Sequence, residues 1–327
     1  MKAIIYAKSG KPEEAFTITE IAKPIPNAHQ VLVRVKATSV NISDYKRFIE
    51  TIDGGKLSLR TKIMESVMLH AIGNPPGAEV SGVVESVGKD VTVVKVGDEV
   101  FAATLNGLTG GWAEYVLTND NSVCHKPDNL SFEEAAVIPV AGTVALDAVR
   151  KAKITTGHKV LVYGASGGVG HLAVQLSKAE GANVTAVCST RNIEMARSIG
   201  ADEVVDYSKD DFTKTDNHYD AIIACNGYNP IKVYKKLLTQ KGIYIAIGGA
   251  KQAMAAFPSS IIFKNAEYVL YNEAAKKNPL PYLKEVAEAG KLKPFIDRVY
   301  SIDEISKAIY YMVKIHAQGK AGIRVDF

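Results

Sequence analysis

Three glycines recur at every third position, Gly164, Gly167 and Gly170, in a sequence Tyr-Gly-Ala-Ser-Gly-Gly-Val-Gly that starts at Tyr163. The apolar run before them predicts a strand, and the apolar positions after them recur with helical spacing. Glycines at such a turn let the backbone approach a phosphate closely, and the helix N-terminus offers N–H groups and partial positive charge. The pattern predicts a dinucleotide site, with an ordinary turn as the alternative; the residues of the site are Gly164, Ala165, Ser166, Gly167, Gly168 and Val169. A P-loop is excluded, because no Gly-Lys-Ser/Thr ends the turn.

The end of the next predicted strand bears on which dinucleotide binds. Cofactor sites for NAD usually place Asp or Glu there, on the ribose 2'-hydroxyl, but this chain has Ser189, Thr190 and Arg191 after Cys188. Two hydroxyls and a guanidinium suit a 2'-phosphate, since Arg forms paired charge-assisted hydrogen bonds with it. We therefore expect NADPH rather than NADH. In the alternative, Arg191 is a solvated charge and Ser189 caps the next helix.

Two patterns of secondary structure position these residues. From about residue 131 strands and helices alternate, which predicts a doubly wound parallel sheet with helices on both faces; the further strands are expected at 183–187, 203–207, 219–225 and 242–247, and helices at 192–199, from about 230 and at 303–316. Before residue 123 the segments are short and β-branched, which predicts a small Greek-key barrel. A helical insertion is expected within 48–70, and a last strand, 323–327, could return to the first domain.

Composition excludes several classes of protein. A length of 327 residues favours two domains, and 39 Lys plus Arg against 35 Asp plus Glu, a net charge of +4, give no reason to expect a nucleic acid or a membrane as partner. The cysteines, Cys124, Cys188 and Cys225, fit neither a disulfide framework nor a zinc spacing, so we expect buried thiols rather than reactive ones. The N-terminal apolar run is too short for a signal peptide, and a cytoplasmic protein is expected.

Several blocks together resemble the zinc-independent quinone oxidoreductases of the medium-chain dehydrogenase/reductase family, near the alkenal/enone reductases. The blocks are Ser-Val-Asn-Ile-Ser-Asp-Tyr-Lys (39–46), Pro-Gly-Ala-Glu-Val-Ser-Gly (76–82), Val-Gly-Asp-Glu-Val (96–100), Gly-Trp-Ala-Glu-Tyr (111–115), Ala-Gly-Thr (141–143), the glycine turn and Gly-Lys (319–320). The resemblance implies a GroES-like β-barrel domain at 1–125 and 293–327, and a Rossmann NADP-binding domain at 126–292. It places the active site in the cleft between these domains. It also implies a homodimer through the Rossmann domains, for which 243–247 and 268–270 are the candidate segments.

The resemblance also assigns roles to single residues. It implies that Asn41 lies beside the nicotinamide, that Lys46 lies near cofactor or substrate, and that Asp44 orients them, which makes these three the expected catalytic residues. A solvated Lys46 is the alternative. Further cofactor contacts are implied for Thr143, Tyr207, Gly248 and Lys320, although a lysine near a C-terminus is usually solvated.

Zinc is not expected. Zinc enzymes of the family bind the catalytic metal with Cys, His and Cys, but this chain has Asn41, Ala78 and the Pro139–Val140 region at those positions. Without a metal Lewis acid, alcohol oxidation fits poorly, whereas hydride transfer to a quinone or an α,β-unsaturated carbonyl needs mainly orientation, water exclusion and a proton. The alternatives are a non-enzymatic NADPH-binding redox sensor and a 2-enoyl-thioester reductase. A small-molecule substrate is expected in each enzymatic case.

Overall fold

The computed structural model describes residues 1–7, 12–42, 44, 74–104, 110–225, 229, 231–248, 266–269, 278–315 and 317–327. The predicted helical insertion at 48–70 and the candidate Lys46 lie outside these residues. The chain divides into two compact units: unit 1 comprises Met1–Val140, Glu273–Lys284 and Ile296–Phe327, and unit 2 comprises Ala141–Asn272 and Glu285–Phe295. The domain limits expected from the resemblance stay a prediction.

The elements are numbered in chain order over the described residues. The strands are β1 (Lys2–Tyr6), β2 (Phe16–Glu20), β3 (Gln30–Ser39), β4 (Glu79–Val87), β5 (Glu99–Ala103), β6 (Tyr115–Asn119), β7 (Val123–His125), β8 (Lys159–Tyr163), β9 (Asn183–Cys188), β10 (Glu203–Asp206), β11 (Tyr219–Ala224), β12 (Leu238–Ile247), β13 (Ala266–Val269), β14 (Ile296–Ser301) and β15 (Lys320–Arg324). The α-helices are α1 (Pro12–Ala15), α2 (Phe132–Ala136), α3 (Pro139–Lys151), α4 (Gly170–Ala179), α5 (Ile193–Ser198), α6 (Ile231–Leu237), α7 (Leu280–Glu288) and α8 (Ile305–Tyr310).

Unit 1 is built on a seven-stranded sheet in the order β14-β15-β3-β4-β5-β7, with β6 paired to β3. Strand β15 pairs antiparallel with β3 and parallel with β14, so the last strand returns to the first unit as expected. Apolar side chains of β3, β4, β5 and β6 pack into one buried cluster. A second cluster surrounds Trp112, whose indole N–H donates to the carbonyl of Ser39 at 3.1 Å. The indole thereby fixes the end of β3, shortly before the candidate residue Asn41.

Unit 2 contains a six-stranded sheet in the order β10-β9-β8-β11-β12-β13, and every pair in it is parallel. Numbered within this sheet the order is 3-2-1-4-5-6, which is that of the doubly wound dinucleotide-binding fold. Successive strands are added on one side of β8 as far as β10 and on its other side from β11 onward. The crevice at the carboxyl ends of β8 and β11, where this order reverses, is the usual place for a ligand. The predicted fold class, a Rossmann sheet with a GroES-like β domain, is confirmed.

Some predicted bounds differ from the structure. Strand β12 begins at Leu238 rather than at residue 242, because Leu238 pairs with Tyr219 ahead of a register shift in the ladder. The last strand ends at Arg324, and the expected helix at 303–316 is a 3-10 turn, α8 and a π-type turn in succession. Strand β12 lies between β11 and β13, so it offers no free edge for a dimer; β13 is outermost in the described part of the sheet. Among the described residues no helix is long and apolar enough to cross a membrane.

Candidate functional site

The glycine turn joins β8 to α4 and presents backbone donors at the carboxyl edge of the sheet. Gly164 has a φ of +76°, in the left-handed region where a side chain is unfavourable. Its N–H and that of Ala165 both donate to the carbonyl of Val187 on β9, which ties the turn to the neighbouring strand. The N–H groups of Ser166, Gly168 and Val169 donate to no backbone carbonyl in the described part of the chain. The turn therefore keeps donors for an anion at the start of a helix.

Gly167 and Gly170 lack side chains for different reasons. A Cβ on Gly170 would lie 2.1 Å from the carbonyl oxygen of Gly164, so only glycine allows α4 to pack against the turn. A Cβ on Gly167 would meet the same oxygen at 3.5 Å, an ordinary contact. Internal packing thus does not require glycine at position 167, and the space that it leaves is available to a ligand. These observations fit the pyrophosphate of a dinucleotide.

The end of β9 is tied to this turn by a side chain. The amide of Asn192 donates to the hydroxyl oxygen of Ser166 at 2.8 Å and to that of Ser189 at 3.0 Å. Ser189 makes no capping hydrogen bond from its side chain, so it is not the cap that the alternative interpretation proposed. The structure therefore brings two predicted cofactor residues together through a residue to which no role was assigned.

The hydroxyl of Thr190 is engaged within the chain, although Thr190 was expected to bind the 2'-phosphate. Its hydroxyl donates to Asp206 Oδ2 at 2.5 Å, at the end of the adjacent strand β10. That bond, with the hydrogen bonds from Ser208, holds the pKa of Asp206 below its usual value, so the carboxylate stays ionised and keeps the proton of Thr190 engaged. In this conformation Thr190 cannot donate to a 2'-phosphate, and the predicted phosphate site rests on Ser189 and on Arg191, which is exposed.

Two aromatic side chains pack together at the carboxyl ends of β8 and β10. The rings of Tyr163 and Tyr207 stack with centroids 6.3 Å apart, and Tyr207 is half exposed. Together with residues 208–212 they line an open cavity of about 320 Å³. The predicted cofactor residue Tyr207 therefore lies on the same sheet edge as the glycine turn.

In unit 1, Asn41 is held by a network of short hydrogen bonds directly after β3. Its backbone N–H donates to Asp44 Oδ2 at 2.7 Å, and the N–H of Asp44 donates back to the Asn41 carbonyl at 3.0 Å. Its side-chain amide donates to Ser39 Oγ at 3.1 Å and to Glu79 Oε1 at 3.0 Å. Asp44 thus holds the backbone of Asn41, and both amide hydrogens of Asn41 have acceptors within the chain.

Lys320 completes this network. Its ammonium donates to Asn41 Oδ1 at 2.6 Å, to Glu79 Oε1 at 2.8 Å and more weakly to the carbonyl of Val40 at 3.4 Å. Lys320 is 5% exposed and Glu79 is fully buried. The carboxylate of Glu79 also accepts from the hydroxyl of Ser39 and from the N–H of Val140. Lys320 is therefore neither solvated nor free for a cofactor, and a contact with the cofactor would require one of these bonds to break.

The residues at the zinc-ligand positions do not fit zinc. Asn41 and Ala78 offer no thiolate or imidazole, and Val140 contributes only a backbone N–H, which is bound to Glu79. The ammonium of Lys320 already neutralises Glu79 at 2.8 Å. A dication beside this ammonium would be repelled, so no step of the chemistry is assigned to a metal.

The remaining predicted residues are dispersed. Thr143 is half-buried on α3, and Gly248 directly follows β12 with a φ of +147°. Sequence reasoning assigned no role to Asn192, Glu79 or Asp206. A carboxylate in the otherwise apolar start of β4 was a usable signal for Glu79, because a buried charge needs a partner.

Comparisons with known proteins agree with this architecture. Residues 27–128 match the model of the alcohol dehydrogenase GroES-like domain, and residues 199–321 match that of the zinc-binding dehydrogenase. The chain is 30% identical over 331 residues to the "Chloroplast envelope quinone oxidoreductase homolog" of Arabidopsis thaliana, covering 98% of this chain and 97% of that protein. It is 31% identical to the "NADPH-dependent alkenal/one oxidoreductase, chloroplastic" of the same plant, covering 98% and 78%.

The solved structure of the quinone oxidoreductase from Coxiella burnetii superposes on this chain with a TM-score of 0.85, at 28% identity and with 100% and 99% of the two chains covered. The likeness in sequence and in structure thus extends over nearly the whole length of the chain. The chain therefore belongs to the quinone oxidoreductase group of the medium-chain dehydrogenase/reductase family and is an oxidoreductase.

Proposed function

We propose that this oxidoreductase uses NADPH, without zinc, to reduce quinones or α,β-unsaturated carbonyls. The observation that carries the proposal is the pairing of the glycine turn with Ser189 and Arg191 at the end of β9, where no carboxylate follows the strand. The Asp206 carboxylate on the next strand is occupied by Thr190 and Ser208. Names of relatives that include quinone and alkenal/one oxidoreductases support the same substrate classes.

The chain's own groups would divide the work as follows. The N–H groups of the turn after β8 bind the pyrophosphate, and Ser189 and Arg191 bind the 2'-phosphate through charge-assisted hydrogen bonds. Tyr207 flanks the adenosine end. Thr143 and Gly248 are proposed contacts of the nicotinamide half. Bound NADPH supplies the hydride.

Unit 1 contributes a rigid polar group rather than a titrating one. Asn41 is fixed through its backbone by Asp44 and through its side chain by Glu79 and Lys320, so its orientation is set before any ligand arrives. Such preorganisation avoids reorganisation during hydride transfer. Solvent supplies the proton that completes the reduction, and Lys46 stays the predicted donor toward the developing oxyanion.

A panel of substrates tests the proposal directly. Initial rates of NADPH and NADH oxidation should be measured with a quinone, an enone and an enoyl-CoA, on protein whose zinc content is determined by elemental analysis. We expect turnover of the quinone or the enone with NADPH, and no stoichiometric zinc. Turnover of enoyl-CoA alone, or one zinc per chain, would overturn the proposal, and tight NADPH binding without any turnover would leave a binding protein.

Cofactor preference has a matched pair of variants. Arg191→Ala should remove most of a preference for NADPH of about 10-fold or more, because a lost charge-assisted contact is worth roughly 1.5 to 3 kcal/mol. Arg197→Ala is the control, since Arg197 is also an exposed arginine and pairs with Glu194 at 2.7 Å on α5. An unchanged preference in Arg191→Ala would refute the assignment of Arg191.

We further propose a homodimer that pairs through β13, the outermost described strand of the sheet in unit 2. Tyr268 belongs to this strand, whereas Leu270 lies outside the described residues. Sedimentation at micromolar concentration should give about twice the chain mass. Cytoplasmic localisation stays a prediction, and the relatives named above include chloroplast proteins.

A further inference from the structure

The side chain of Asn192 occupies an unusual place between the two phosphate-binding segments of unit 2. It is 6% exposed, and its amide nitrogen lies 2.8 Å from Ser166 Oγ in the glycine turn and 3.0 Å from Ser189 Oγ after β9. Its backbone N–H also donates to the carbonyl of Ser189 at 2.8 Å, which fixes the position of the side chain. One buried amide thus joins two hydroxyls that belong to different loops.

The direction of these two hydrogen bonds determines where the protons of the two serine hydroxyls can point. An amide nitrogen can only donate, so each serine oxygen accepts from Asn192 and keeps its own proton for another acceptor. Neither hydroxyl donates to an acceptor within the described residues. Accepting a hydrogen bond also polarises a hydroxyl and strengthens it as a donor. Both serines are half-buried rather than enclosed, so their protons are accessible to a ligand.

We propose that Asn192 is a positioning residue that turns Ser166 and Ser189 into a matched pair of donors, one for the pyrophosphate and one for the 2'-phosphate of NADPH. The inference rests on the proposed function and deepens it. Thr190 shows the contrasting arrangement, because its hydroxyl donates to the Asp206 carboxylate and its proton is unavailable. Asn192 and Asp206 together therefore determine which of the neighbouring hydroxyls keep a proton for a phosphate.

The identity of the side chain matters on this account. Aspartate has nearly the same shape as asparagine but only accepts when ionised, so both serine protons would turn toward it and away from the ligand. It would also place a negative charge between two phosphates. Alanine would leave both hydroxyls free to rotate. Asn192→Asp should therefore be the more damaging of the two substitutions, although it changes the volume less.

A pair of ligand fragments isolates the effect from catalysis. ADP-ribose and 2'-phospho-ADP-ribose differ only in the 2'-phosphate, and their dissociation constants can be measured by titration calorimetry on the full chain. Asn192→Asp should raise the dissociation constant of 2'-phospho-ADP-ribose at least 10-fold and that of ADP-ribose by a smaller factor. Asn183→Asp, the same substitution at the exposed start of β9, should leave both constants unchanged.

A double-mutant cycle distinguishes positioning from a structural role. If Asn192 acts through Ser189, Asn192→Ala should lower the preference for the 2'-phosphate in the parent chain but change it by less than about 2-fold in a Ser189→Ala background. Its effect on ADP-ribose should likewise vanish in a Ser166→Ala background. The proposal would be overturned if Asn192→Ala had the same effect in the serine-to-alanine backgrounds as in the parent chain. Thermal melting checks folding, and Asn192→Asp can complete the cycle if the alanine variant does not fold.

The proposed function and the inference can fail separately. A parent chain with equal affinity for the two fragments would refute the preference for NADPH, while the ADP-ribose arm would still decide whether Asn192 acts through Ser166. A clear preference for the 2'-phosphate that persists in Asn192→Asp would refute the inference alone.

Discussion

Replacing Lys320 with methionine removes the cation that faces the buried carboxylate of Glu79. Methionine keeps the length and the apolar stem of the side chain, so the change isolates the ammonium. The substitution breaks the bonds of 2.8 Å to Glu79 Oε1 and 2.6 Å to Asn41 Oδ1. Among the described residues, three donors to Glu79 remain: the hydroxyl of Ser39, the amide of Asn41 and the N–H of Val140.

The expected cost follows from these two bonds. Hydrogen bonds to charged groups contribute roughly 1.5 to 3 kcal/mol each, and removing one partner of a buried ion pair costs about 3 to 5 kcal/mol. We expect Lys320→Met to destabilise unit 1 by about 3 kcal/mol or more. Glu79→Gln should cost about as much, because an amide facing the N–H of Val140 opposes one donor with another. The double variant carries no net buried charge and should recover about 2 kcal/mol of the summed losses.

Urea unfolding followed by tryptophan fluorescence is a suitable assay, because Trp112, the one tryptophan of the chain, is buried in unit 1 beside this network. With an m-value of about 3 kcal/mol/M, Lys320→Met should lower the midpoint by about 1 M. Lys307→Met is the control, since Lys307 pairs with Glu304 at 2.9 Å on the surface and should not move the midpoint measurably. A midpoint shift below about 0.3 M for Lys320→Met, or strictly additive losses in the double variant, would refute the reasoning.

The other predictions concern the glycine turn and the reacting end. Gly170→Ala should destabilise unit 2 by about 1 to 3 kcal/mol, because the new Cβ would lie 2.1 Å from the Gly164 oxygen, whereas Gly167→Ala should leave the melting temperature unchanged and weaken NADPH binding; equal melting temperatures would contradict this. Lys46→Ala should lower kcat by roughly 100-fold to 1000-fold with little change in NADPH affinity, and Asn41→Ala should lower it by less. Unchanged kcat in both variants would leave Lys46 and Asn41 with structural roles only.

The fold of unit 2 was largely predictable because its signals are local. The apolar run of β8, the glycines after it and the helical spacing of α4 follow one another within about twenty residues, and the alternation of strands and helices after them predicts the parallel sheet. Bounds were less accurate where pairing decided them. Strand β12 extends back to Leu238 because a neighbouring strand accepts it, which no property of its own sequence indicates.

The network around Asn41 was only partly predictable because its members are distant in sequence. Glu79 and Lys320 are 241 residues apart, and only the pairing of β15 with β3 brings the last strand to the end of the first. A resemblance could assign Asn41 and Lys320 to a site, but the direction of each hydrogen bond depends on geometry. The same reason applies to Thr190, since its acceptor, Asp206, belongs to the next strand.

The two units differ in whether their polar groups already have partners within the chain, and this difference affects what each unit can bind. At the carboxyl edge of the sheet in unit 2, the N–H groups of Ser166, Gly168 and Val169 and the hydroxyls of Ser166 and Ser189 are donors without acceptors among the described residues, so an anion would complete them. In unit 1, the charge of Glu79 is already matched by Lys320, and the amide hydrogens of Asn41 are engaged. Unit 2 thus favours an anionic cofactor, whereas the ammonium of Lys320 in unit 1 is engaged by Glu79 and Asn41 before any ligand binds.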